Sequence, residues 1–141
     1  GIRDCLLSRG LGDVYKRQDL LEKNNLLTFG PEKYLLFELS FFDEPPRVND
    51  IIWKMREKEV IPVLAHVERY AYWHKDYDKI EEMINRGVKL QLNIGSITGA
   101  YGPEVKKVAD RLIKDKVIDF SRKYSVKKYV YFSDAVHVFY F

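Results

Sequence analysis

Short apolar runs alternate along the middle of the chain with longer segments whose apolar positions recur every three or four residues. The run "KYLLFELS" has the length and composition of a strand and carries Glu38 at its end. Behind it, "PRVNDIIWKMREKEV" puts Val48, Ile51, Ile52 and Met55 on one helical face, with Pro46 near its start. "VIPVLAH" is the next strand. "DYDKIEEMINRG" follows as a helix with Tyr77, Ile80, Met83 and Ile84 on one face and Gly87 at its C-terminal end. A third strand, "VKLQLN", alternates Val88, Leu90 and Leu92. "GPEVKKVADRLIKDK" is a third helix, opening at Pro103 with Val105, Val108, Ala109 and Leu112 inward, and "VIDF" begins a fourth strand. Leu35, Val63, Leu90 and Val117 stand 28, 27 and 27 residues apart. Strands alternating with helices at such spacing predict right-handed βαβ units and a parallel sheet. Four strands make half a barrel or one side of a doubly wound sheet, and a barrel needs ~250 residues, so the pattern predicts part of a domain.

Composition changes this picture little. The 141 residues are 46% hydrophobic and 32% charged, as in an ordinary soluble globular protein with a real core. No stretch approaches the ~20 apolar residues of a membrane span, and no charged-apolar-small signal peptide is visible. One cysteine, Cys5, cannot form an internal disulfide, which fits a reducing cytoplasm. The net charge of +3 is unevenly placed: +2 in residues 1–18, +3 in residues 121–141 and −2 between them. The basic character belongs to the ends and gives no support for a nucleic-acid partner.

Both ends break the pattern. "SRGLGDVYKRQ", Ser8 to Gln18, has no helical or strand periodicity. It matches, residue for residue, one reading frame of a transposase adapter used in preparing sequencing libraries. Residues 1–18 are therefore read as an assembly artefact and left out of the fold, as a fusion scar would be. The last stretch, 121–141, is crowded with Tyr, Phe and Val and is expected to be a divergent or frame-shifted tail, with a β-hairpin as the other reading.

In a parallel sheet the strand ends converge on one face, where α/β proteins keep their chemistry. Glu38, His66 and Asn93 should meet there, with Glu68 and Arg69 just beyond the second strand. A carboxylate and an imidazole at neighbouring strand ends suit Mn²⁺, Fe or Zn²⁺, and Arg69 could fork onto a phosphate. A plainer reading stands beside this one, with Glu38 and Arg69 as an ion pair and His66 hydrogen-bonded in the core. His74 is expected at the solvated surface. "NIGSITGAYG", 93–102, reads as a βα loop, although a glycine-bearing loop before a helix can hold phosphate. There is no P-loop, no CxxC and no Ser-His-Asp order.

Three segments, "LLTFGPEKYLLFELSF", "IPVLAHVERYAYW" and "LQLNIGSITGAYGPEVKKVADRLIKDKVIDF", carry a resemblance. Together they resemble the metal-dependent tyrosine phosphatases of the CpsB/YwqE type, members of the PHP superfamily. The resemblance runs from about Leu20 to Phe120 and is most specific at A-H-x-E-R-Y with a glutamate strand 28 residues before it. It implies an α/β fold that is part of a distorted (β/α)7 PHP barrel, with parallel strands alternating with helices. It further implies a cytoplasmic bacterial enzyme with a cluster of Mn²⁺ or other divalent metal. The implied substrate is phosphotyrosine on a bacterial tyrosine kinase that controls capsule or exopolysaccharide export. By motif position Glu38 and His66 would be metal ligands and Arg69 would bind the substrate phosphate. The family's H-x-H motif and its further aspartate, histidine and glutamate ligands would precede Leu20, where adapter sequence stands. The family has Pro where Val67 stands, and a Ser/Thr-Asp-x-His motif after the fourth strand. "SDAVH", Ser133 to His137, echoes that motif about a dozen residues late and with one residue extra, so Asp134 and His137 are read as frame-slipped coincidence. With most ligands missing, the chain is expected to lack substantial activity. Two other functions remain open: a small-molecule PHP phosphoesterase of the histidinol-phosphatase kind, and a non-catalytic βα module that binds a kinase or phosphate through Arg69.

Overall fold

A computed structural model describes residues 28–122 and 139–140. The tail residues Asp134 and His137, and the segment 1–18, lie outside the described residues. Five parallel strands form one sheet in the order β4-β3-β2-β1-β5, where β1 is Tyr34–Glu38, β2 Ile61–Leu64, β3 Lys89–Asn93, β4 Phe120–Arg122 and β5 Phe139–Tyr140. The helices are α1 (Val48–Glu57), α2 (Tyr77–Asn85), the one-turn α3 (Ile94–Ile97) and α4 (Pro103–Lys114). Two 3₁₀ turns, Val67–Arg69 and Ala71–Trp73, lie between β2 and α2.

Most of the apolar periodicity becomes the core as the pattern predicts, although Val105, expected inward, is half-buried and lies outside the core cluster. Val48, Ile52 and Met55 of α1, Ile80 and Met83 of α2, and Val108, Ala109 and Leu112 of α4 are buried, against Leu35 and Phe37 of β1 and Leu64 of β2. Ile51, Tyr77 and Ile84 pack around this cluster half-buried. Strands covered on both faces read as nearly continuous buried runs. That is the state of β2 and β3, and it corrects the simple alternation expected of β3: Gln91 and Asn93 are buried along with Leu90 and Leu92.

The chain turns where its residues permit it. Gly87 (φ 82°) closes α2: its N–H bonds the Ile84 carbonyl and the Val88 N–H reaches back to Met83, at 2.9 and 3.1 Å. This is the paired closure that a left-handed residue after a helix allows. Pro103 opens α4 at a position where its missing N–H costs nothing.

The fourth strand starts later than expected, at Phe120 rather than Val117. Asp119 accounts for the delay. Its N–H bonds the Leu90 carbonyl, its carboxylate accepts from the Leu90 N–H, and Lys89 Nζ reaches the same carboxylate, at 3.0, 3.0 and 2.9 Å. The backbone N–H and the carboxylate of Asp119 together make the first link to β3, and the regular ladder follows from Gln91–Phe120 onward. At the other edge, β5 lies parallel to β1, with Phe37 opposite Phe139 and Glu38 opposite Tyr140.

Candidate metal and phosphate site

The register of β1 on β2 decides what stands at their common end. Leu36 pairs with Val63 and Phe37 with Leu64, and the Ala65 N–H still reaches the Phe37 carbonyl at 2.9 Å. The next residue, His66, therefore emerges beside Glu38. Its Nε2–H donates to Glu38 Oε1 at 2.6 Å, in a nearly buried setting. The other ring nitrogen, Nδ1, is buried and has no hydrogen-bond partner among the described residues. A buried imidazole nitrogen without a partner is uncommon and has the chemistry of a ligand position.

His66 also turns the chain. It adopts a left-handed backbone (φ 37°, ψ 54°), which costs a residue with a Cβ roughly 1–2 kcal/mol. Hydrogen bonds on both sides hold it there. Its N–H donates to Gln91 Oε1 at 2.8 Å, and its carbonyl accepts from the Arg69 N–H at 2.9 Å. The turn sends three consecutive side chains in different directions. Val67, where the family pattern has proline, is wholly buried in the core. Glu68 points inward, and Arg69 stays at the surface of the site.

Glu68 is completely buried, and sequence reasoning gave it no role. Its Oε1 accepts from the Asn93 N–H at 3.1 Å and from Ser96 Oγ at 2.5 Å, while Oε2 has no partner among the described residues. Burial pushes its carboxyl above the usual range, and the bonds from Ser96 and Asn93 oppose that rise. Its backbone carbonyl accepts the ring N–H of His74 at 2.8 Å. His74 is thus half-buried and engaged in this turn, not a solvated surface residue as expected.

Arg69 is not the ion-pair partner of Glu38 that the plainer reading offered. Glu38 is engaged with His66, and among the described residues no carboxylate lies within 4.0 Å of the Arg69 side-chain nitrogens. Aromatic rings hold the guanidinium instead: its Cζ lies 4.8 Å from the centroid of Phe41 and 4.4 Å from that of Tyr101. Phe41 in turn stacks on the His66 imidazole, with centroids 5.2 Å apart, and on Tyr70. The "RYAYW" segment secures the chain that follows β1. Tyr70 Oη accepts from the Leu39 N–H at 3.0 Å, and Tyr72 Oη donates to the Ser40 carbonyl at 2.8 Å.

Asn93, expected to converge with Glu38 and His66, is buried and committed elsewhere. Its Oδ1 accepts from Gln91 Nε2 at 3.2 Å and its N–H serves Glu68. The stretch 93–102, expected as a loop, contains α3, and Ser96 of that helix is one of the donors to Glu68. The residues brought together are therefore Glu38, His66 and Arg69, roofed by Phe41. Gln91, Glu68 and Ser96 support them from below.

A family model, "Capsular polysaccharide synthesis, CpsB/CapC", matches residues 7–123, a span that overlaps the stretch read as adapter. Tyrosine-protein phosphatase YwqE of Bacillus subtilis is 29% identical over 100 residues, covering 71% of this chain and 39% of YwqE. Tyrosine-protein phosphatase CpsB of Streptococcus agalactiae is 29% identical over 89 residues, 61% of this chain and 37% of CpsB. Among solved structures, a chain from the crystal structures of YwqE from B. subtilis and CpsB from Streptococcus pneumoniae, described as unique metal-dependent tyrosine phosphatases, superposes with a TM-score of 0.68. The two are 28% identical, and the match covers 78% of this chain and 45% of the other. This chain thus spans about two fifths of the length of the curated relatives it matches.

Proposed function

The chain belongs to the capsular polysaccharide synthesis CpsB/CapC family, and from that premise we propose that it carries one corner of the metal and phosphate site of a protein-tyrosine phosphatase. In this reading residues 19–120 are part of a distorted (β/α)7 PHP barrel, 1–18 are adapter sequence and 121–141 are a divergent or frame-shifted tail. Glu38 and His66 are ligands to a divalent cation of the manganese kind, and Arg69 binds the phosphate of a phosphotyrosyl protein. The substrate is a tyrosine kinase of capsule or exopolysaccharide synthesis, met in the cytoplasm.

The observation that carries the reading is the state of Arg69. Two aromatic rings flank its guanidinium, and no side-chain hydrogen bond or ion pair spends its N–H groups among the described residues. A pre-set guanidinium fork of this kind is suited to a phosphate. It stands beside a carboxylate–imidazole pair whose orphaned Nδ1 and paired carboxylate have the donor chemistry of a divalent-cation site. A cation held there would polarise a phosphoryl oxygen and activate water. Two donors do not complete even a four-coordinate site, however, and no group of three or more His, Cys, Asp or Glu that could hold a metal occurs among the described residues. The chain by itself is therefore expected to show no substantial turnover.

Fluorescence anisotropy with a labelled phosphotyrosyl peptide tests the site. The purified chain should bind the peptide, more tightly at millimolar Mn²⁺, and Arg69→Ala should abolish binding. Peptide affinity unchanged in Arg69→Ala would remove the phosphate role. Robust Mn²⁺-dependent phosphate release from the peptide would overturn the incomplete-site claim. Preference for histidinol phosphate over phosphotyrosyl peptides would move the reading to a small-molecule phosphoesterase. The two-donor count also favours a second reading, a non-catalytic phosphate-binding module. Tight binding that ignores Mn²⁺ and is lost in Arg69→Ala would select it.

A further inference from the structure

Glu68 presents an energetic puzzle. A buried carboxylate is costly, and an apolar side chain of similar size would usually serve stability as well or better. Its two bonds, however, run to one place. Both the Asn93 N–H and the Ser96 hydroxyl belong to the end of β3 and the turn of α3 that follows it. Glu68 itself lies between His66 and Arg69, in the middle of the 3₁₀ turn Val67–Arg69. The carboxylate therefore clips that turn to the neighbouring strand end. A second clip, from the His66 N–H to Gln91 Oε1, reaches the same strand. His74 grips the turn from the other side through the Glu68 carbonyl.

We infer that Glu68 is a positioning residue: tied to Asn93 and Ser96, it holds His66 in its left-handed conformation and aims Arg69 into the site. The inference rests on the proposed roles of His66 and Arg69. The left-handed backbone at His66 has no glycine or asparagine to ease it, so it must be imposed by its surroundings. Of the groups that impose it, Glu68 alone belongs to the turn and reaches out of it with its own side chain. Without the clip the turn is free to relax, and the imidazole and guanidinium move apart. Displacements of about 1 Å are enough to cost large factors at a site whose groups must meet one ligand.

The test uses the whole chain and two independent readouts. NMR reports the His66 backbone through its amide–Hα coupling and intraresidue NOE, which separate left-handed from right-handed or extended residues. Anisotropy reports affinity for the phosphotyrosyl peptide. In Glu68→Ala, His66 should leave the left-handed region and peptide affinity should fall roughly tenfold. Glu68→Gln, which keeps an acceptor for the Asn93 N–H and Ser96, should restore both. Ser96→Ala should give a smaller shift in the same direction, and it decides the matter if Glu68→Ala does not fold. If the folded variants keep His66 left-handed and bind the peptide as the parent chain does, Glu68 is an ordinary buried acid and the inference is overturned. Should the parent chain fail to bind the peptide at all, the phosphatase-site reading fails, and the His66 backbone readout still decides the positioning role.

Discussion

Two strand ends face the same side of this sheet and use their polar residues in opposite ways. At the end of β3, Gln91 bonds the Leu92 carbonyl and the Asn93 side chain, and Gln91, Asn93 and Ser96 each bond the neighbouring turn at His66 or Glu68. Among the described residues at the joint end of β1 and β2, the side chains of Glu38 and His66 bond only each other, Nδ1 of His66 is left over, and Arg69 meets two rings but no carboxylate. One end is a support, its polar groups spent within β3 and on the neighbouring turn. The other has polar capacity still to spend. The difference teaches where to look for function in a parallel sheet: at the groups a fold has positioned without satisfying.

If this contrast is right, substitutions at the two ends should fail in different ways. Gln91→Leu is expected to have the largest effect on stability, about 1–3 kcal/mol, because it leaves the buried His66 N–H and the Asn93 side-chain oxygen without their partner. Urea unfolding followed by circular dichroism would measure it. A loss below 0.5 kcal/mol, on the order of an ordinary surface change, would mean that β3 does not support the turn. Tyr70→Phe should come next, at about 1–2 kcal/mol, since the Leu39 N–H loses its buried acceptor while the ring packing is kept. The same titration applies, and an unchanged midpoint would show that the Leu39 N–H finds another partner.

Arg69→Ala sharpens the comparison from the other side. Contacts between a cation and a ring at partly exposed positions are worth about 0.5–1 kcal/mol, so stability should fall by about that much or less while phosphotyrosyl-peptide binding is lost. A variant destabilised by several kcal/mol would place Arg69 among the supporting residues and erase the distinction between the two ends.

The same contrast explains what was legible in the sequence. The order of β1, α1, β2, α2, β3 and α4 could be read because each element buries apolar residues at its own period. Glu38, His66 and Arg69 could be placed at one strand mouth, because strand ends in a parallel sheet share a side. What could not be read was which polar residues turn inward. Gln91 and Asn93 look like the solvated face of an alternating strand, yet both are buried, because β3 is covered on both faces. Glu68 sits between two candidate site residues, and only the left-handed turn at His66 sends it into the interior. The late start of β4 was hidden for a similar reason: Asp119 links to β3 through its side chain, and no apolar period records that. The match to the family came from motif identity at "AHVERY", which periodicity alone does not supply.

The smallest effect is predicted outside both strand ends, at Tyr77, and it provides a background against which the others can be judged. Its hydroxyl donates to Asp115 at 2.9 Å, and Arg111 lies over its ring with Cζ 3.5 Å from the centroid. Burial first, and then the bond and negative charge of Asp115, push its pKa up to about 12, against the opposing Arg111 charge. A phenol whose pKa is higher in the folded chain than in the unfolded one keeps its proton longer when folded. Its contribution is therefore fully present below about pH 10, the value of the free phenol, and is lost as pH rises from there through about 12. At neutral pH Tyr77→Phe should change stability by no more than about 0.5 kcal/mol, as a partly exposed site would. Between pH 10 and 11 the parent chain should lose stability faster than the variant, measured by urea unfolding at each pH. Parallel pH profiles for the two chains would show that the Tyr77–Asp115 bond does not persist in solution. A large loss at neutral pH would mean that polar residues outside the strand ends also carry stability, and that the contrast between the two ends is not special to them.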